Sequence, residues 1–390
     1  MEFFYRCSEC GQEFEIKPDL MVCPECSRKQ NENEPLRGIL EVILEGEKPA
    51  EFDIQDFLPV EREYFPDLPE MLTPLWKPRN LSLNTGFNNL YIKDDTRNLT
   101  GSLKDRASAL VSAFANREGL DEIAVASTGN AASSMAGIGA LAGQKITIFL
   151  PEDAPRAKMV QSLQYGARVI PCAGNYDMAF DLSLEYTKSN SALSRNTAYN
   201  PLTIDGKKTV ALEIFQQMQK APDYVFVPTG DAVILAGVFK GFRDLKKFDY
   251  IDKIPVIVAV QSDQSKAIYR AMQTGHFSEY EASTIADSIS VGIPRNGYYA
   301  LKMLNEYNGK CITVSDQKIL AAQRELSTKT GLFTEPAAAA SYAGFLKYKD
   351  MLDKDATIVL LATGNGLKDI DSAMKMVDFP EKSISSLEEL

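Results

Sequence analysis

The stretch whose residue types and spacing carry the most chemistry is Leu99-Thr100-Gly101-Ser102-Leu103-Lys104-Asp105-Arg106. It follows a strand-like run, Leu90 to Lys93, and leads into apolar residues at helical spacing, Leu103, Ala107, Leu110, Val111 and Phe114. The pattern predicts a strand, a tight turn and a helix, with Ser102 and Asp105 forming a capping box. Lys104 then falls in the first helical turn, where free N–H groups and the positive end of the dipole disfavour a cation. A lysine so placed either reaches water as an ordinary surface residue or does work that needs a lowered pKa or a covalent bond, such as linkage to an aldehyde.

A second set of reactive side chains lies at the N-terminus. Cys7-Ser8-Glu9-Cys10 and Cys23-Pro24-Glu25-Cys26 form two C-x2-C knuckles twelve residues apart. Each pair can wrap one side of a tetrahedral ion, and four thiolates in a reducing compartment select zinc. Four protein ligands close such a site, so its role is structural. Disulfides or unligated thiols are the alternative. Cys172 and Cys311 fall in strand-like runs and read as small buried apolar residues. A single histidine, His276, excludes a multi-histidine metal centre, and its loop-like setting reads as surface.

The chain around these residues has 390 amino acids, 45% of them apolar and 24% charged, enough for two or three domains. A net charge of −11 argues against nucleic acid as a partner. No apolar run approaches a membrane span, and no signal-peptide pattern is visible, so a cytoplasmic location is expected. Short apolar runs alternate with helical patterns: Ile123–Ala126, Lys145–Leu150, Arg168–Ile170, Tyr224–Val227, Pro255–Val260, Cys311–Val314 and Thr357–Leu361 are the strands. This rhythm predicts an α/β fold with parallel sheets covered on both faces. Ligands in such sheets bind at the carboxyl ends of strands. Ser127-Thr128-Gly129-Asn130, Thr229-Gly230-Asp231-Ala232-Val233 and Thr363-Gly364-Asn365-Gly366 occupy such ends, although each would also serve as an ordinary polar turn.

Asn98 to Arg106 resembles the N-P-T-G-S-F-K-D-R signature of pyridoxal-phosphate (PLP) enzymes of fold type II, and most closely that of the threonine synthases. Thr363-Gly364-Asn365-Gly366-Leu367-Lys368-Asp369 resembles the T-G-H-G-L-K-D of the same family, with Asn365 for His. The resemblance extends over nearly the whole chain and implies two doubly wound domains of PLP fold type II behind a zinc ribbon. The ribbon would occupy 1–35, a large cofactor domain 36–105 with 205–390, and a smaller mobile domain 106–204. Lys104 would hold the cofactor aldehyde and later move protons. Asn130 would donate to the ring's phenolate oxygen and Thr363 would face the ring nitrogen. Thr229 to Val233 would cup the cofactor phosphate, and Ser127, Thr128 and Gly129 would hold the substrate carboxylate. Homodimers are common among such enzymes.

The resemblance implies conversion of O-phospho-L-homoserine and water to L-threonine and phosphate. Some positions depart from the pattern. Thr203 stands where the family carries an arginine that grips the substrate phosphate, Lys207 stands for a glutamine, and Ala131 stands for a threonine. Lys207 and Lys208 can restore charge there, though not the arginine fork. A related PLP-dependent β-elimination or β-replacement enzyme acting on another amino acid is therefore the alternative. A non-catalytic zinc-ribbon binding protein is a third reading, disfavoured by the acidic charge and the intact Lys104.

Overall fold

The computed structural model describes residues 1–68, 72–381 and 383–389. The N-terminal unit is a small antiparallel sheet of β1 (Glu2–Cys7), β2 (Glu13–Phe14) and β3 (Leu40–Glu45), in the order β2-β1-β3, with a single-turn α1 (Pro24–Ser27). The pairing of β3 with β1 along its whole length extends this unit past residue 35, where the sequence reading ended it.

The chain then runs through β4 (Leu75–Trp76), α2 (Arg79–Thr85) and β5 (Leu90–Asp94) into α3 (Lys104–Arg117). Next come β6 (Glu122–Ala126), α4 (Asn130–Ala142), β7 (Lys145–Pro151), α5 (Arg156–Gln164), β8 (Arg168–Cys172), α6 (Tyr176–Asn190) and β9 (Leu193–Ser194). Their strands make one parallel sheet, β8-β7-β6-β9. After α7 (Leu202–Met218) follow β10 (Tyr224–Pro228), α8 (Val233–Lys247), β11 (Val256–Ser262), α9 (Ala267–Thr274), α10 (Gly297–Glu306) and β12 (Lys310–Val314). The last elements are α11 (Asp316–Thr330), α12 (Pro336–Tyr348), β13 (Ile358–Ala362) and α13 (Ile370–Met374).

The larger sheet is ordered β12-β11-β10-β13-β5-β4, parallel except for the edge strand β4. β13 is buried at all five positions, as a strand covered on both faces requires. The α11 start follows the sequence: Ser315 caps it by accepting from the Lys318 N–H. Among the described residues no helix is long and apolar enough to cross a membrane.

The start of α3 departs from the expected capping box. Ser102 does not cap the helix, and its buried hydroxyl has no hydrogen-bond partner. Gly101, in the left-handed region at φ 84°, folds the preceding loop back. Asp105 therefore accepts from the Thr100 N–H at 2.7 Å and from the Thr100 hydroxyl. The carboxylate still satisfies loop donors, but of a residue five positions back.

Arg106, fully buried, fixes α3 against its surroundings. Its guanidinium donates to both Asp95 oxygens, at 2.6 and 2.9 Å, to Thr73 at 2.9 Å, to Thr209 at 3.0 Å and to the Glu213 carboxylate. Lys93 adds a second cation on Glu213. Two cations and two carboxylates balance inside the core. Gly206 lets α7 approach α3: a Cβ there would lie 2.5 Å from the Arg106 carbonyl oxygen and 2.8 Å from the Ala107 Cα. Glu213→Ala leaves Arg106 and Lys93 undercompensated and is expected to lower unfolding stability by about 3–5 kcal/mol. Denaturant titration measures it, and a loss below about 1 kcal/mol, the scale of an exposed pair, contradicts the role given to this network.

Candidate active site

Three helices begin without a side-chain cap at one place: α3 at Lys104, α4 at Asn130 and α8 at Val233. Such starts present unpaired N–H groups and positive dipole ends to an anion. Between them lies a cavity of about 150 Å3 whose wall includes Lys104, Ser127, Tyr176, Thr197, Lys207, Glu335 and Thr363. Gly230, Asp231, Ala232 and Val233 line it as well. A more open cleft of about 570 Å3 adjoins it and shares Ser288, Glu335 and Ala337; Gly129 and Asn130 stand on that side.

The two sheet ends meet at Lys104. The Leu103 N–H donates to the Thr363 carbonyl oxygen at 2.9 Å, so the first turn of α3 is tied to the end of β13. Ala232, at the start of α8, holds the left-handed conformation at φ 64°. Glycine adopts it freely, whereas a residue with a Cβ does so at some strain. Asp231 accepts from the Arg295 N–H at 2.6 Å. The Arg295 guanidinium sits 3.9 Å from the Phe180 ring centroid and bonds Asp177 at 2.7 Å, linking the α8 start to α6.

The predicted residues divide into two groups. Lys104, Ser127, Gly230, Asp231, Ala232, Val233, Thr363 and Lys207 line the cavity, and Gly129 and Asn130 line the adjoining cleft. Thr128 is half-buried and lines neither. Thr229 is turned into the sheet: its N–H donates to Val260 and its hydroxyl to the Val227 carbonyl. Lys208 faces away from the cavity and pairs with Asp205 at 3.0 Å and Asp244 at 3.1 Å, so it is not available to a ligand. Thr203, which stands where the family carries its arginine, donates its hydroxyl to the Asn200 carbonyl and accepts from the Ala198 N–H.

The structure places three further side chains at the site to which no role was assigned from the sequence. Glu335, just before α12, accepts from the Asn130 amide at 2.9 and 3.1 Å and from Ser288 at 3.2 Å. Arg195 is fully buried beside the cavity and donates to Thr197 at 2.7 Å. Its position just after β9, at a strand's carboxyl end, was the available signal. Lys368 reaches Gln161 at 2.8 Å and Ser133 at 3.2 Å across the cleft.

Burial depresses the Lys104 amine below its ordinary 10.5, with Glu335 pulling it back up and Arg195 pushing it further down. Burial likewise raises the Glu335 and Asp231 carboxyls. The neutral amine is the nucleophile toward an aldehyde. Uptake of an aldehyde by the ligand-free protein should therefore rise with pH through a midpoint below 10.5. Glu335→Gln removes a charge that favours the protonated amine, so the midpoint should fall further. A midpoint that rises in this variant contradicts the assignment.

The four N-terminal thiols also come together. The Cys7, Cys10, Cys23 and Cys26 sulfurs all lie within 4.8 Å of one another, with Cys7–Cys26 at 3.8 Å and Cys10–Cys23 at 3.7 Å. Tetrahedral Zn–S bonds of about 2.3 Å place sulfurs about 3.8 Å apart, whereas a disulfide needs about 2.05 Å.

Residues 67–364 match the pyridoxal-phosphate-dependent enzyme family. Threonine synthase of Methanocaldococcus jannaschii is 34% identical over 97% of this chain and 96% of its own. Threonine synthase of Halalkalibacterium halodurans is 36% identical over 84% of this chain and 91% of its own. Among solved structures, the T.th. threonine deaminase superposes with a TM-score of 0.66 at 25% identity, covering 75% of this chain and 92% of its own. Threonine deaminase isoform 2 of Solanum lycopersicum does so at 0.70 and 23% identity, covering 85% and 95%, a likeness of fold. With a lysine at an uncapped helix start, an anion-receptive turn opposite it and this kinship along almost its entire length, the chain belongs to the pyridoxal-phosphate-dependent enzyme family.

Proposed function

We propose that this chain is a threonine synthase, a carbon–oxygen lyase that converts O-phospho-L-homoserine and water to L-threonine and inorganic phosphate. The observation that carries the reading is the half-buried Lys104 lining one cavity with the α8 start, in a chain similar to threonine synthases over nearly its whole length. Pyridoxal phosphate, when bound, supplies the electron sink for chemistry at the substrate's Cα and Cβ. The chain's own residues supply position and protons. Gly230, Asp231, Ala232 and Val233 offer the backbone of the uncapped α8 start to the cofactor phosphate. Thr363 is assigned to the ring nitrogen; a neutral hydroxyl does not force a proton onto it as an aspartate would.

Lys104 is assigned the proton transfers at Cα and Cβ, for which an amine with a lowered pKa is suited. Ser127 and Gly129, with Thr128 beside them, are assigned the substrate carboxylate at the α4 start. Asn130 is assigned the ring phenolate, which requires its amide to turn from Glu335. The route is elimination of the γ-phosphate, then addition of water at Cβ. We place the enzyme in the cytoplasm, as a homodimer acting on a small amino acid, with a structural Zn2+ on Cys7, Cys10, Cys23 and Cys26.

One observation favours a second reading. The buried Thr203 has its hydroxyl engaged by Asn200 and Ala198, so position 203 contributes nothing to a phosphate. On that ground the alternative is a β-elimination or β-replacement enzyme on an unphosphorylated amino acid. Assay of the purified protein with O-phosphohomoserine, serine, threonine and O-acyl substrates decides. Threonine and phosphate formed in equal amounts support the synthase; turnover confined to unphosphorylated substrates overturns it.

For the ribbon, elemental analysis is expected to find about one zinc per chain. Cys23→Ser should lower the zinc content and the unfolding midpoint while sparing cofactor absorbance. Full stability in metal-free protein contradicts the structural role.

A further inference from the structure

Two cations beside the Lys104 cavity have no paired carboxylate among the described residues. Lys207 on α7 is 1% exposed, lines the cavity, and its Nζ makes no hydrogen bond. The other fully buried lysines, Lys93, Lys208 and Lys240, each hold a carboxylate within 3.4 Å. Arg195 is 0% exposed. Its Nε reaches Ser108 at 3.3 Å and its Nη1 the Thr197 hydroxyl at 2.7 Å, yet its Nη2 has no partner. Burial, Arg195 and Lys104 push the Lys207 amine down, and Asp231, whose carboxylate is bonded to the Arg295 backbone, pulls it partly back, so the cations lie in one electrostatic field. Charges buried without a counter-ion are strongly destabilising unless an anion joins them.

A different locus serves the cofactor phosphate in the reading above. The uncapped α8 start, at the end of β10, offers backbone N–H groups on the side of the larger sheet. Arg195 follows β9 of the smaller sheet and holds Thr197, which is part of the cavity wall. Tyr176 and Ser127 line that same side. A substrate placed beside Lys104 would lie between the two loci. Two cations match the charge of a second phosphate dianion, and an arginine with a free Nη2 provides directional donors that Thr203 lacks.

We infer that Arg195 and Lys207 form a second phosphate subsite, distinct from the α8 turn, which takes the phosphate of the substrate. The inference rests on the proposed reading that the substrate is phosphorylated. The pair supplies from β9 and α7 what position 203 does not. Both are specificity residues: they hold the leaving phosphate and carry no proton transfer at carbon.

The test uses the cofactor-loaded enzyme, in which the cofactor's own phosphate already occupies the α8 turn. Inorganic phosphate is titrated while the unfolding midpoint and the absorbance of the lysine-bound cofactor are followed. The wild type should show saturable stabilisation by phosphate. Lys207→Gln and Arg195→Gln should each weaken that binding by at least about tenfold, the range of a lost charged hydrogen bond. They should raise KM for O-phosphohomoserine by a similar factor, with a smaller change in kcat. Cofactor affinity should change by less than about threefold, well inside one lost hydrogen bond. Ligand-free Lys207→Gln should melt no lower than the wild type, because a buried amine without a hydrogen-bond partner has gone.

Unaltered phosphate binding in both variants overturns the inference. So does a tenfold loss of cofactor affinity with phosphate binding intact, which assigns the pair to the cofactor. If Arg195→Gln fails to fold, Lys207→Gln alone carries the test. If phosphate binds through the pair but no threonine forms, the subsite stands and the reaction reading falls. If threonine forms with unchanged KM in the variants, the reverse holds.

Discussion

The site depends on one buried electrostatic junction, in which the Arg106 guanidinium meets Asp95, Glu213, Thr73 and Thr209. It joins the end of β5, the first turn of α3 and the middle of α7. Lys104 lies two residues before it, and Asp105, between them, ties down the loop at Thr100. A reactive amine must stay at a fixed place to be useful, and a flexible four-carbon stem does not provide that alone. The backbone at Lys104 is held from both sides: by the Arg106 junction behind it and by the Leu103 N–H bond to Thr363 in front. The interaction is nearly charge-neutral inside, so it orients without leaving net charge in the core.

The cavity next to it is arranged on the opposite principle. Neighbouring lysines on α7 show the contrast. Residues 207 and 208 point about 100° apart around the helix. Lys208 meets Asp205 one turn back and Asp244 of α8, forming a closed core network with Lys240. Lys207 turns to the cavity and finds no carboxylate within ion-pair reach among the described residues. Lys104 and Arg195 share its surroundings, and the carboxylates present are engaged. Asp231 is bonded to the Arg295 backbone and Glu335 to Asn130 and Ser288. An interior with cations in excess and three uncapped helix starts is built for anions.

Much of this was legible in the sequence, for identifiable reasons. Strands such as β7, β10 and β13 announce themselves because strands covered on both faces must be continuously apolar. Lys104, the Ser127–Asn130 loop and Thr363 were legible because strand-end turns hold polar residues at fixed offsets. Side-chain direction was not legible. Thr229 stands in the expected turn, yet its hydroxyl satisfies the Val227 carbonyl. Lys208 was indistinguishable from Lys207 until α7 packed on α8. The bond between Asn130 and Glu335 joins residues 205 positions apart, which no local pattern encodes. Ser102 and Asp105 matched a capping box in spacing, but the fold of the loop at Gly101 gave the carboxylate a different partner. The apolar run Leu40 to Leu44 is strand-like by composition, while its membership in the cysteine unit depends on a partner more than thirty positions earlier.

Lys104 is assigned the cofactor in a cavity that also holds the buried Lys207. Borohydride reduction of the cofactor-loaded enzyme, followed by proteolysis and peptide mass analysis, tests it directly. A pyridoxyl adduct is expected on Lys104 alone, in the peptide bearing Thr100 to Asp105. An adduct on Lys207, or none on Lys104, would contradict it.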